Sequence, residues 1–93
     1  LSRHVVVRPD LAGWRRERLP RMDPTRLLEV APDWVCEILS PSTENRDRVM
    51  KARYYAEAGV SHYWIVSPEA RTVEAYELEP PGVAKERRWI RLG

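Results

Sequence analysis

The sequence predicts an α/β domain, and two observations carry that expectation. The first is a strand, a turn and a helix in succession between Ala31 and Gly59. The second is a pair of strand-like runs after the helix, Ser61–Val66 and Thr72–Leu78, split by the turn signal Ser67-Pro68-Glu69-Ala70. The chain has 93 residues, enough for one small domain.

Val5-Val6-Val7 leads into Arg8-Pro9-Asp10-Leu11-Ala12, and the spacing predicts a strand through Val5–Trp14 with Pro9 near an edge or a bulge. The chain starts at Leu1, and Val5–Val7 already reads like the middle of a sheet. Trp14–Arg26 is the most basic stretch, with five arginines against Glu17 and Asp23. Asp23-Pro24-Thr25 is a turn signal. Arg26–Val30 fits either one helical turn or an extended lead-in.

Asp33–Leu39 is rich in bulky residues suited to a pleated, buried surface. Alternation puts Asp33, Val35, Glu37 and Leu39 on one face and Trp34, Cys36 and Ile38 on the other. Pro41 ends the ladder, and Ser42, Thr43 or Asn45 can cap the helix that follows. The helix runs to about Ala58, with Gly59 as its stop. After it, Thr72–Leu78 alternates, with Val73, Ala75 and Glu77 on one face and Glu74, Tyr76 and Leu78 on the other. The two strands suggest a hairpin. Glu79-Pro80-Pro81-Gly82 breaks the pattern, and Arg87–Leu92 adds a last strand.

Composition excludes several classes. Charged residues make up 32% of the chain, but the net charge is only +2, unlike a strongly basic nucleic-acid coat. There is no apolar run long enough to cross a membrane and no recognisable signal peptide. The single cysteine, Cys36, rules out an intrachain disulfide and a cysteine cage for zinc; it reads as a small buried hydrophobe. The cytoplasm is the default location. His4 and His62 lie in different strands, with no second ligand at metal-binding spacing. No nucleophile elbow or phosphate-cradling glycine loop is present.

Glu37 is the residue that asks for an explanation. A carboxylate flanked by apolar residues is expensive to bury unless a metal ion or a cation pairs with it. Asp10 follows a proline and taken alone reads as the end of a strand in an Asx-type turn. Asp33 follows a second proline, on the Glu37 face. It lies roughly 13 Å from Glu37 at ~3.3 Å per residue, too far to share an ion. Trp14, Arg15, Arg16 and Arg18 suit a loop that contacts phosphates, with the indole stacking on a base or sugar. They equally suit a solvated connection covering the sheet edge.

The run E-I-L-S-P-S-T at Glu37–Thr43, followed by D-R-V-x-K and Y-A-E-A-G-V, resembles the Uma-type restriction endonucleases of the PD-(D/E)xK nuclease superfamily. The resemblance extends to R-P-D-L-A-G-W at Arg8–Trp14 and to Y-W-I-V-S-P-E-A-R-T-V-E-A-Y at Tyr63–Tyr76. It implies a restriction endonuclease-like fold, a mixed sheet flanked by helices. Family members carry an amino-terminal helical portion and a first strand not found here, so residues 1–93 are expected to form the C-terminal part of such a domain. The resemblance also implies a metal-dependent endonuclease that hydrolyses DNA phosphodiester bonds with Mg2+ or Mn2+. Asp10 takes the place of the first metal-binding carboxylate and Glu37 that of the second. The superfamily's lysine two positions after the second acid is missing, because Leu39 stands there. In the resembled family a lysine on the following helix takes over, and the matching residue is Lys51. Its competing partner is Asp47, one helical turn away. A homodimer would suit cutting two strands. Two other readings stand beside this one: a noncatalytic nuclease-like module for nucleic-acid binding or assembly, and an α/β scaffold in which Glu37 and Lys51 form a structural pair.

Overall fold

The computed structural model describes residues 8–21, 30–40, 46–83 and 85–93. The expectations for His4, for a strand over residues 5–7, for the turn at 23–25, for residues 26–29 and for the capping residues Ser42, Thr43 and Asn45 lie outside the described residues. The elements are β1 (Leu11–Gly13), a 3-10 turn (Arg16–Arg21), β2 (Trp34–Ile38), α1 (Arg46–Ala58), β3 (His62–Ser67), β4 (Thr72–Leu78) and β5 (Trp89–Arg91). The five strands form one sheet in the order β1-β2-β3-β4-β5. Only β2 and β3 pair in parallel. A parallel pair needs a long crossover, and α1 is that crossover. The α/β expectation therefore holds as a mixed sheet with one α-helix among the described residues. The strands expected over Asp33–Leu39 and Arg87–Leu92 appear with trimmed ends, while the hairpin appears with its first strand shifted by one residue and its second as expected. The first strand is shorter than expected: Pro9 and Asp10 precede β1, because Pro9 has no N–H for the ladder.

The end of α1 is fixed by its chemistry. Gly59 adopts φ +83°, its N–H reaches the Ala56 carbonyl at 3.1 Å, and the Val60 N–H reaches the Tyr55 carbonyl at 3.0 Å. These two bonds make a Schellman cap, completed by apolar contact between Val60 and Tyr55 in the core.

The core lies between α1 and one face of the sheet. Val35, Tyr55, Val60, Tyr63 and Ile65 are buried together, with Leu39, Ala52, Tyr76 and Trp89 packed against them. Tyr63 is its centre, with ring centroids of Tyr55 and Trp89 at 5.3 and 5.5 Å. Trp89 also donates its Nε1–H to the Ala52 carbonyl at 2.8 Å, which ties β5 to the helix. The opposite face carries Leu11, Trp34, Cys36, Ile38, Trp64, Val73 and Ile90 by register. Trp34 and Trp64 pack edge-on at 5.5 Å, while Leu11, Ile38, Trp64, Val73 and Ile90 stay exposed among the described residues. No helix of the described residues is long and apolar enough to cross a membrane.

Asp33 is a fastener at the start of β2. Its Oδ2 accepts the Arg15 backbone N–H at 2.7 Å and pairs with the Arg18 guanidinium at 2.9 Å. Burial pushes this carboxyl up, but the Arg15 N–H and the Arg18 charge outweigh it and hold the carboxyl below the usual carboxylate range. Asp33→Ala removes the acceptor of both the Arg15 N–H and Arg18, and should cost about 1.5–3 kcal/mol, the scale of a hydrogen bond to a charged group, in a urea melt at neutral pH. A depressed folded pKa gives stability that is present above the unfolded pKa and is lost as pH falls through the folded one. The gap between wild type and Asp33→Ala should therefore close in acid melts below the usual carboxylate range. A gap that is constant with pH would show that the carboxylate's charge plays no part.

Candidate active site

Sheet register and helix periodicity together assemble a polar cleft at the C-terminal end of β2. Glu37 pairs across to Ile65 on β3, and Ile65 pairs to Glu74 on β4. These three side chains form one lateral row on the helix-covered face. The β1/β2 register, continued one step past Leu11↔Cys36, sets Asp10 opposite Glu37. Asp10 Oδ2 accepts the Ile38 N–H at 2.7 Å and so closes that end of the ladder. Above the row, α1 presents Arg48, Lys51 and Tyr55 at i, i+3 and i+7, the stripe a helix turns toward a sheet.

Glu37 is only 4% exposed. Its Oε1 accepts from Lys51 Nζ at 3.2 Å, and its Oε2 accepts from the Tyr55 hydroxyl at 2.5 Å. Burial, then the hydrogen bond and charge of Glu37, push the Tyr55 phenol far up, so it stays protonated and remains a donor. Tyr63 beneath is likewise pushed up, by burial and then by the Glu37 charge. Asp10, Glu37, Lys51 and Arg48, with Ile38, Leu39, Ser40 and Tyr63, line an open cleft of about 190 Å³. That volume holds several waters. Asp10 is exposed at its rim, and the Lys51 side chain is one quarter exposed.

Three residues singled out in the sequence thus line one cleft, although they come from the residue just before β1, from β2 and from α1. Lys51 contacts Glu37, while the Asp47 side chain lies outside the described residues. The arginine-rich segment lies elsewhere. β1 runs antiparallel to β2, so Trp14, Arg15, Arg16 and Arg18 follow it to the opposite end of β2. The Trp14 Nε1–H donates to the Val30 carbonyl at 3.1 Å, and Arg18 is paired with Asp33. Arg15 and Arg16 are exposed. His62 lies 3.8 Å from Glu77 across the β3/β4 pair, away from the cleft row. Tyr55 and Arg48 escaped the sequence reading. Their signal was the four-residue step from Lys51 to Tyr55 and the three-residue step from Arg48 to Lys51, which put all three on one face of α1.

The donor set suits a hard divalent cation. Two carboxylates converge on the cleft, and the bond from Ile38 leaves Asp10 with further accepting capacity. Magnesium is held by one or two carboxylates, with water or phosphate completing its shell. No group of three or more His, Cys, Asp or Glu side chains is arranged to hold an ion among the described residues. An ion here would rely on those outside ligands.

Residues 1–90 match the Uma2 family, described as "Putative restriction endonuclease". Among solved structures, a crystal structure of "a putative nuclease belonging to DUF820" from Anabaena variabilis is similar at 27% identity and a TM-score of 0.47. The match covers 68% of this chain and 32% of that one, so the chain spans about a third of that relative's length. No curated protein sequence matches. Since the family match takes in nearly the whole chain, including the segments that carry Asp10, Glu37 and Lys51, the protein belongs to the Uma2 family of restriction endonuclease-like proteins.

Proposed function

We propose that this chain carries the catalytic cleft of a metal-dependent endonuclease that hydrolyses DNA phosphodiester bonds. The observation that supports this reading best is the convergence of Asp10, Glu37 and Lys51 on one water-accessible cleft. Membership of the Uma2 family supports a nuclease. Asp10 and Glu37 would hold Mg2+ or Mn2+, which when bound supplies a Lewis acid and lowers the pKa of a bound water. Tyr55 holds Glu37 in a single orientation by donating to Oε2. Lys51 keeps a compact ammonium beside Glu37, where it can donate to the attacking water or to a phosphate oxygen as negative charge builds. Leu39 stands where a strand lysine would, and the helix brings the cation from above instead. This is electrostatic stabilisation by a donor aimed at the developing charge.

One observation favours a second reading, in which Glu37 and Lys51 are only a structural pair. Both oxygens of Glu37 already accept from internal donors. Stability separates the two. A structural pair should be missed mainly by the fold, since breaking a buried pair costs about 3–5 kcal/mol. A catalytic one should be missed mainly by the chemistry.

The test is nicking of supercoiled plasmid with magnesium or manganese by the full protein. Lys51→Ala should leave metal affinity largely intact and cut cleavage by about 10²–10³, or about 2.7–4 kcal/mol of transition-state stabilisation. Lys51→Arg should not restore it fully, because a planar fork is not a compact ammonium. Glu37→Ala should lose metal affinity and cleavage together. Wild-type rates in a folded Lys51→Ala would end the lysine assignment. No metal-dependent cutting by folded wild type would favour the noncatalytic reading.

We also propose that the exposed Arg15 and Arg16 add salt-sensitive DNA affinity from the far end of β2. The Trp14 indole and Arg18 would support that segment through Val30 and Asp33. Arg15→Ala with Arg16→Ala should weaken binding and flatten the salt dependence, by about one unit of log–log slope for each phosphate that an arginine had neutralised. An unchanged slope would show that these arginines face elsewhere.

A further inference from the structure

Arg48 belongs to the same cleft but has no part in the chemistry described so far. It lies three residues before Lys51 on α1, and both line the cleft. One of its terminal nitrogens donates to Glu74 Oε1 at 2.7 Å. The same Glu74 oxygen accepts the Tyr76 hydroxyl at 2.5 Å. The Tyr76 hydrogen bond, opposed by burial and followed by the Arg48 charge, holds the Glu74 carboxyl below the usual range. Glu74 therefore stays an acceptor at neutral pH. The Glu74 side chain is 18% exposed and that of Arg48 is 32% exposed, so the anchor is covered while the guanidinium remains reachable from solvent.

The register explains why this matters for the cleft. Glu74 is in the same row as Glu37, with Ile65 between them. At about 4.8 Å per strand the two acids stand roughly 10 Å apart. Each receives one cation from the helix, Lys51 on Glu37 and Arg48 on Glu74. The two cations border one opening from neighbouring turns. A guanidinium has five N–H donors in a planar fork, and among the described residues one bond, to Glu74, engages it. That fork matches two oxygens of a phosphate.

Resting on the endonuclease reading of the cleft, we propose that Arg48 is a phosphate-binding residue of the site, held in place by Glu74 and Tyr76 as positioning residues. Its role differs from that of Lys51. Lys51 is a point charge beside the reacting centre, and Arg48 fixes the orientation of the phosphodiester that is cut or of the one next to it. Glu74 and Tyr76 act only through Arg48, by fixing where the fork points.

The experiment uses the full protein, with wild type, Arg48→Gln, Arg48→Lys, Glu74→Gln and the Arg48→Gln/Glu74→Gln pair. Three quantities are read: plasmid nicking with magnesium, equilibrium binding of a short DNA duplex over a salt series in metal-free buffer, and the melting temperature. Arg48→Gln keeps a side chain able to bond Glu74, so the fold should survive. It should lower nicking about 10²-fold or more. It should also weaken binding and flatten the salt slope by about one unit, the signature of one phosphate left without its cation. Arg48→Lys should recover the salt slope but not the nicking rate, since the fork is gone. Glu74→Gln should lower nicking with little change in salt slope, and the pair should be no worse than Arg48→Gln alone. A wild type that nicks, beside an Arg48→Gln that nicks and binds equally well, overturns this inference and leaves the endonuclease reading standing. Additive losses in the pair would overturn the positioning role of Glu74. Loss of nicking with an unchanged salt slope and a lowered melting temperature would make Arg48 a structural residue and overturn the proposal. A folded wild type that neither nicks nor binds overturns the endonuclease reading, and this inference with it.

Discussion

A carboxylate sealed under a helix cannot be left alone, and the arrangement of this protein around Glu37 follows from that constraint. The side chain is almost fully buried, and an unpaired charge there would cost several kcal/mol. Tyr55 and Lys51 meet the need from one face of α1. For both to reach Glu37, the helix must sit over β2 with a fixed rotation and a fixed height. The Schellman cap at Gly59 and the Trp89 bond to the Ala52 carbonyl hold it there. The parallel pairing of β2 and β3 follows from the same crossover.

A burial of this kind gives little stability. Buried ion pairs often contribute less than the apolar residues that could replace them. Here the polar row of Asp10, Glu37 and Glu74 occupies the very face where a core would gain most from Leu or Val. Natural sequences keep such features where function needs them and offset them elsewhere. The offset is visible in the aromatic cluster of Tyr55, Tyr63, Tyr76 and Trp89, which packs tightly beside the row. Tyr55 and Tyr76 belong to both systems. Their rings are held in the aromatic cluster, and their hydroxyls serve the two acids.

Much of this was legible in the residues. The central strand, the helix and its glycine stop follow from local rules of alternation, period and capping. Glu37 stood out because a charge inside an apolar strand is a local conflict, and local conflicts mark sites. Asp10 and Lys51 needed the family resemblance, since no spacing rule links residues 10, 37 and 51. The partners of Asp33 were not legible. A proline-aspartate pair looks alike whether it holds metal or fastens a loop, and only the register of β1 against β2 brings Arg15 and Arg18 to it. The grip of Glu74 on Arg48 was hidden for the same reason. It depends on which strand lies beside β3 in the sheet, and sequence periodicity carries no information on strand order.

The source of the lysine has a mechanical consequence. When a cation and its carboxylate share one strand, their spacing is set by covalent geometry and hardly varies with temperature or packing. Here Glu37 is on the sheet and Lys51 is on the helix, so their separation is a distance between two layers. It is only as constant as the side chains filling that gap. Leu39, two residues after Glu37, is one of them, and packs against the core that props the helix. Alignment at the cleft thus becomes a property of the interlayer filling as a whole. A loosened residue in that filling could detune the site while every polar group in it stayed in place.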